Sequence, residues 1–64
     1  MRKLYRLVDK YEGDIEVIYE DDSLTKVTAY AKYYDREVVD GECYLYVYMW
    51  NGYDKYKLIK DWRY

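Results

Sequence analysis

Histidine, proline and phenylalanine are absent from the chain, and cysteine occurs once. Each absence closes off a class of chemistry. With no imidazole and a single thiol, a zinc site lacks its usual ligands, and Cys43 has no histidine to activate it. Cys43 also has no second cysteine with which to form an intramolecular disulfide; among apolar neighbours it is expected to pack as a small hydrophobe. The three glycines are scattered as turn residues and form no phosphate-cradling loop. Long hydrophobic runs are missing too. The longest stretch without formal charge, Cys43 to Tyr53, is too short to span a bilayer, and the basic Met1-Arg2-Lys3 opening leads into no apolar run of a secretory leader. The expected setting is a reducing cytoplasm, with no membrane contact, no metal and no cofactor.

Sixty-four residues make a single small domain, 1–64. A chain of this length buries only about 60% of the surface its unfolded form exposes, so a deep cleft that excludes water is hard to build. Enzymatic activity is not expected, and no catalytic residue is assigned. Asp35, Glu37, Glu42 and Asp61 are candidates for chance carboxylate pairs, but 13 acidic residues make such pairs uninformative.

What the chain has in excess is tyrosine, 12 residues of it. The ring is large and apolar while the hydroxyl wants water or a partner, so a core takes tyrosine mainly at its edge. Twelve cannot all be central in so small a domain, and many rings must lie partly exposed. Charge is distributed unevenly around a net of −2. Positions 1–11 carry +3, whereas positions 12–23 carry −6 through Glu12, Asp14, Glu16, Glu20, Asp21 and Asp22. That run is a candidate acidic patch; it lacks the alternating ligands and central glycine of a calcium-binding loop, and reads as a solvated turn. The overall balance argues against a strongly basic nucleic-acid binder, while a local basic strip stays open.

Asn51-Gly52 between two aromatic, β-branched runs predicts a C-terminal hairpin closed by a two-residue type I′ turn. That turn would set Trp50 against Tyr53, Tyr48 against Lys55, Tyr46 against Lys57 and Tyr44 against Ile59. Alternation then assigns Cys43, Leu45, Val47, Met49, Tyr56 and Leu58 to the core face. The other face becomes a row of rings, Tyr44, Tyr46, Tyr48, Trp50 and Tyr53, edged by Lys55 and Lys57. The N-terminal third reads as a second hairpin, Lys3 to Lys10 and Asp14 to Glu20, joined near Glu12-Gly13, with Ile15, Val17 and Tyr19 inward. Its first strand is ambiguous, because Leu4 and Val8 share one face and Tyr5 and Leu7 the other.

Residues 23–39 support two readings. As a helix they place Leu24, Val27, Ala31, Tyr34 and Val38 in one stripe, with Asp22 or Ser23 as the N-cap. As a strand, Leu24 to Tyr30 would pair back onto the preceding one. Asp40-Gly41 supplies a turn in either case. The favoured fold class is α+β, a small antiparallel sheet of about four strands with one helix in the order ββαββ; the alternative is an all-β five-stranded meander or small barrel.

The ring row is the one feature above background. Tyrosine is a good strand former, and cross-strand pairing accounts for part of it. The functional reading is a flat surface for a protein partner, whose regulation or inhibition would follow from occupancy, with the acidic patch steering a basic surface. Two alternatives accompany it. One is a homodimer that covers the row with a second copy; the other is a single-stranded nucleic acid stacked on the rings, with Lys55, Lys57, Arg2, Lys3 and Arg6 along its backbone.

Overall fold

In a computed structural model that describes residues 2–38 and 44–63, two hairpins and one helix form a two-layer α+β arrangement. Strands β1 (Tyr5–Tyr11) and β2 (Asp14–Asp21) are followed by helix α1 (Leu24–Tyr33), a π-helical turn (Tyr34–Val38), and strands β3 (Leu45–Trp50) and β4 (Tyr56–Asp61). The four strands form one antiparallel sheet in the order β2-β1-β3-β4. Order ββαββ is thus the fold, and the meander is not adopted. Residues expected at Asp40-Gly41 and Cys43 lie outside the described residues.

The helix wins over the strand because its start is tied down and its stripe is buried. Ser23 is the N-cap, its Oγ accepting from the Lys26 amide at 3.3 Å, and the Ser23 amide itself donates to Asp21 Oδ1 at 2.8 Å. Val27 and Ala31 are fully buried, which outweighs the indifferent helix propensity of the threonines and tyrosines around them. The expected stripe ends early. Val38 is exposed, because the change to π-helical winding at Tyr34 alters the angular spacing of side chains.

Val27 and Ala31 meet Leu7 from β1 and Leu45 and Val47 from β3, with Tyr19, Tyr30 and Trp62 packed around them. Tyr19 and Tyr30 stack with ring centroids 4.4 Å apart and 7° between planes, joining the edge strand to the helix. The helix covers the β2–β1 half most closely. The ambiguous first strand resolves as a central one. Tyr5 and Leu7 face the helix, while Val8 is buried on the other side beneath neighbouring long side chains.

Turn chemistry departs from the sequence expectation in an instructive way. A type I′ turn needs positive φ at both central residues. In the described chain that pair is Glu12 (φ 52°) and Gly13 (φ 85°), which join Tyr11 to its partner Asp14. At the second hairpin only Gly52 has positive φ. The Asn51 side chain instead organises a longer loop. Its Oδ1 accepts from the amides of Tyr53, Asp54 and Lys55 at 2.8, 3.0 and 3.3 Å, and its Nδ2 donates to Asp54 at 2.9 Å. Trp50 therefore opposes Tyr56, Met49 opposes Lys57 and Tyr48 opposes Leu58. The shift reverses the expected faces of β4: Tyr56 and Leu58 leave the core side, and Met49 is exposed at its margin.

Each edge strand also carries a bulge. Leu7 pairs with Tyr19 but Val8 with Val17, leaving Ile18 as the extra residue on β2; Val47 pairs with Lys60 but Tyr48 with Leu58, leaving Ile59 extra on β4. A bulge offsets the alternation by one, so Tyr19 points to the helix while Ile15 and Val17 share the opposite face with Val8. This corrects the expectation that Ile15 and Val17 face the core. Paired bulges, with Lys57 and Lys60 on β4, also blunt both edges against pairing with another sheet.

Candidate functional site

The helix-free face of the sheet gathers the rings, and β1 rather than β4 lies beside them. Because β1 pairs with β3, Arg6 stands opposite Tyr48 and Val8 opposite Tyr46. The cations of β1 and its leading segment lie over the rings. The Arg2 guanidinium is 4.8 Å from the Trp50 ring centre, Arg6 is 3.8 Å from Tyr56, and Lys10 Nζ is 5.0 Å from Tyr48 and 5.4 Å from Tyr46. Such contacts stabilise an exposed surface by about 0.5–1 kcal/mol each.

Arg6 is further tied to Glu20, Nε to Oε2 at 2.8 Å. The Tyr56 hydroxyl donates to the Lys3 carbonyl at 2.6 Å and lies 3.4 Å from the same Glu20 oxygen. These bonds clamp the leading segment and both edge strands around the central pair. Between them is a shallow depression of about 380 Å³, with Val8 at its floor, Ile15 and Val17 on one wall, Tyr48 and Trp50 on the other, and Arg2 and Lys55 at its end.

The aliphatic residues here are unusual. Ile15 is 69% exposed, Val17 47% and Leu58 53%. A wetted antiparallel face normally alternates polar side chains outward. This one presents branched aliphatics on both flanks of an aromatic centre.

Of the residues expected on the ring row, Tyr46, Tyr48 and Trp50 lie together, half-buried, on this face. Tyr44 sits at the end of the sheet, stacked on Tyr11 at 5.9 Å. Tyr53 is in the loop and 85% exposed, and Tyr56 occupies the place expected for it opposite Trp50. Lys55 borders the depression, whereas Lys57 opposes Met49 on the helix-bearing side. Ile15, Val17, Leu58, Tyr56 and Lys10 were not expected on the face. Pairing outward from Glu12-Gly13 sets Lys10 against Ile15, a signal the sequence does contain.

The six acidic residues do not form one patch. Glu12, Asp14 and Glu16 are exposed at the tip of the β1–β2 hairpin. Glu20, Asp21 and Asp22 lie at the other end of β2, a strand spanning roughly 25 Å. There they serve the fold. Glu20 binds Arg6, Asp21 accepts from the Ser23 amide and the Tyr19 hydroxyl, and Asp22 accepts from the Leu4 amide at 2.8 Å. The Ser23 amide, aided by Tyr19, holds the Asp21 carboxyl below the ordinary aspartate range against a partial desolvation that raises it. The same bond to Asp21, with desolvation adding to it, pushes the Tyr19 phenol up.

Among the described residues no group of three or more carboxylate, thiol or imidazole side chains is arranged to hold a metal ion, and no helix is long and apolar enough to cross a membrane. Compared with known proteins, the chain matches no family model, no curated protein and no solved structure.

Proposed function

We propose that the protein is a non-catalytic protein-interaction module, acting in the cytoplasm, that engages its partner through the helix-free face and so regulates or inhibits it. The observation that carries this reading is the exposed aliphatic pair Ile15 and Val17 facing Tyr48 and Trp50 across the depression, with Leu58 on the far flank. Tyrosine and tryptophan supply large contact area with few rotamers to freeze, and a flanking apolar rim excludes water from them. Paired bulges favour contact with the face over contact with a strand edge. The test is co-purification from the source cells with tagged wild type, with Ile15→Lys/Val17→Lys, and with a helix-side control, Ala29→Lys. Wild type and control should retain one discrete partner that the face variant loses while circular dichroism stays unchanged. Retention of that partner by the face variant would sink the reading.

A second reading, single-stranded nucleic-acid binding, is favoured by one observation: β1 beside β3 aligns Arg2, Arg6 and Lys10 with Tyr46, Tyr48 and Trp50. It predicts oligonucleotide binding at about 20 mM salt that fades as salt rises. Tyr46→Ala/Tyr48→Ala should abolish that binding, and absence of binding at low salt removes the reading. Homodimerisation through the same face would bring Arg2, Lys10 and Lys55 of both copies into one interface, where like charges repel. A monomeric mass by light scattering is therefore expected, and a dimer that the Ile15→Lys/Val17→Lys variant dissociates would replace the heterologous partner.

A further inference from the structure

From the charge pattern of the helix-free face we infer that its occupant is an acidic protein segment: apolar side chains enter the depression while separate carboxylates meet Arg2 and Lys55 at one end and Lys10 at the other. This rests on the protein-interaction reading and specifies its partner.

The chain as a whole is acidic, yet this face has surplus positive charge. Against Arg2, Arg6, Lys10 and Lys55 it carries three carboxylates: Glu20 is paired with Arg6, Asp54 lines the depression with a hydrogen bond from the neutral Asn51 amide, and Asp61 stands opposite Tyr46 and accepts from the Arg63 amide. No described carboxylate lies within ion-pair distance of Arg2, Lys10 or Lys55. The surplus is a single charge, but the cations without an ion-pair partner are discrete, two heads beside Trp50 and one beside Tyr48, with Arg6 neutralised between them.

That discreteness separates a protein from a polyanion. A nucleic-acid backbone following β1 from Arg2 past Lys10 would pass Glu20 and run into Glu12 at the hairpin tip, where repulsion opposes it. The ring faces that bases would stack on are those over which Arg2, Arg6 and Lys10 already lie. What the face presents outward is cationic heads backed by rings, interleaved with aliphatics. Carboxylates bind the heads with charge-assisted hydrogen bonds, and leucine, isoleucine or phenylalanine side chains cover Ile15 and Val17.

Fluorescence anisotropy with three labelled probes in low salt tests this. The first is a short peptide in which leucine and phenylalanine are flanked on each side by two glutamates, the second has glutamine for each glutamate, and the third is an oligothymidylate. The glutamate peptide should bind about tenfold more tightly than the glutamine peptide and than the oligothymidylate. Arg2→Glu/Lys55→Glu should remove that preference, whereas Lys32→Glu/Lys57→Glu on the helix-bearing side, with the same change in net charge, should keep it. Circular dichroism verifies folding, and Arg2→Gln/Lys55→Gln replaces the first variant should it unfold. Equal binding of the two peptides, or no binding of either, overturns the acidic partner but leaves the co-purification result standing. Tighter binding of the oligothymidylate overturns it in favour of nucleic acid. Loss of the preference in the helix-side control overturns the placement on this face.

Discussion

The two faces of the sheet are built from different materials. Toward the helix, Leu7, Leu45 and Val47 pack on Val27 and Ala31 with almost no exposed surface. Away from it, rings, cations and aliphatics share a surface that only Val8 escapes by burial. One face holds the fold together by removing apolar area from water; the other keeps apolar area in water, propped by cation–ring contacts and the Arg6–Glu20 ion pair. A chain of this size with so few fully buried residues has little stability to spare, so apolar residues left outside the core stand out.

The largest expected effect lies on the covered face. Leu7→Ala or Leu45→Ala should destabilise by about 2–4 kcal/mol, measured by urea unfolding, because a fully buried leucine leaves a cavity. A cost under about 1 kcal/mol would mean that this face is not the core.

Gly13→Ala should cost about 1–2 kcal/mol. An added Cβ meets nothing within 4 Å there, so the cost comes from the positive φ alone. Since this turn sets the register that carries Ile15 outward, a neutral result would break the assignment of Ile15 and Val17 to the helix-free face.

Ile15→Lys or Leu58→Lys should change stability by no more than about 0.5 kcal/mol. A loss comparable to that at Leu45 would mean that this face, too, belongs to the core.

The smallest effect is a pH dependence. The folded-state pKa of Asp21 is depressed by the Ser23 amide, so its contribution is present above the unfolded carboxylate pKa of about 3.9 and is lost as pH falls through the lower folded value. A carboxyl titration followed by NMR should place its midpoint below that of an exposed aspartate, and Ser23→Pro, which removes the donor, should raise it. An ordinary midpoint in the wild type would contradict the bond.

Much of this division was legible in the sequence, and its failures share one cause. The stripe through Val27 and Ala31, a cap at Asp22 or Ser23 and the grouping of Tyr46, Tyr48 and Trp50 follow from local spacing, and the structure retains them with Ser23 as the cap. What alternation misassigned were the residues beyond an offset. The bulge at Ile18 separates Ile15 and Val17 from Tyr19, whose face they were assigned, and Tyr56 and Leu58 lie past a loop that Asn51 holds open with its side chain. Period-two reasoning has no means of locating a bulge, and Asn-Gly satisfies two different turns equally well in the one-letter pattern. Pairing of β1 with β3 is a long-range contact that no local spacing encodes. Its trace is Leu7-Val8, adjacent residues buried on opposite faces, as a central strand requires.

The two tryptophans fall on opposite sides of this comparison, Trp50 among the rings of the helix-free face and Trp62 against the core cluster. Their indole N–H signals in a nitrogen-edited NMR spectrum, followed during titration with the glutamate peptide, test the central claim most directly. The Trp50 signal should move progressively while the Trp62 signal stays in place. Movement of Trp62 alone would contradict an interaction face on the helix-free side of the sheet, and movement of neither would contradict an acidic partner for it.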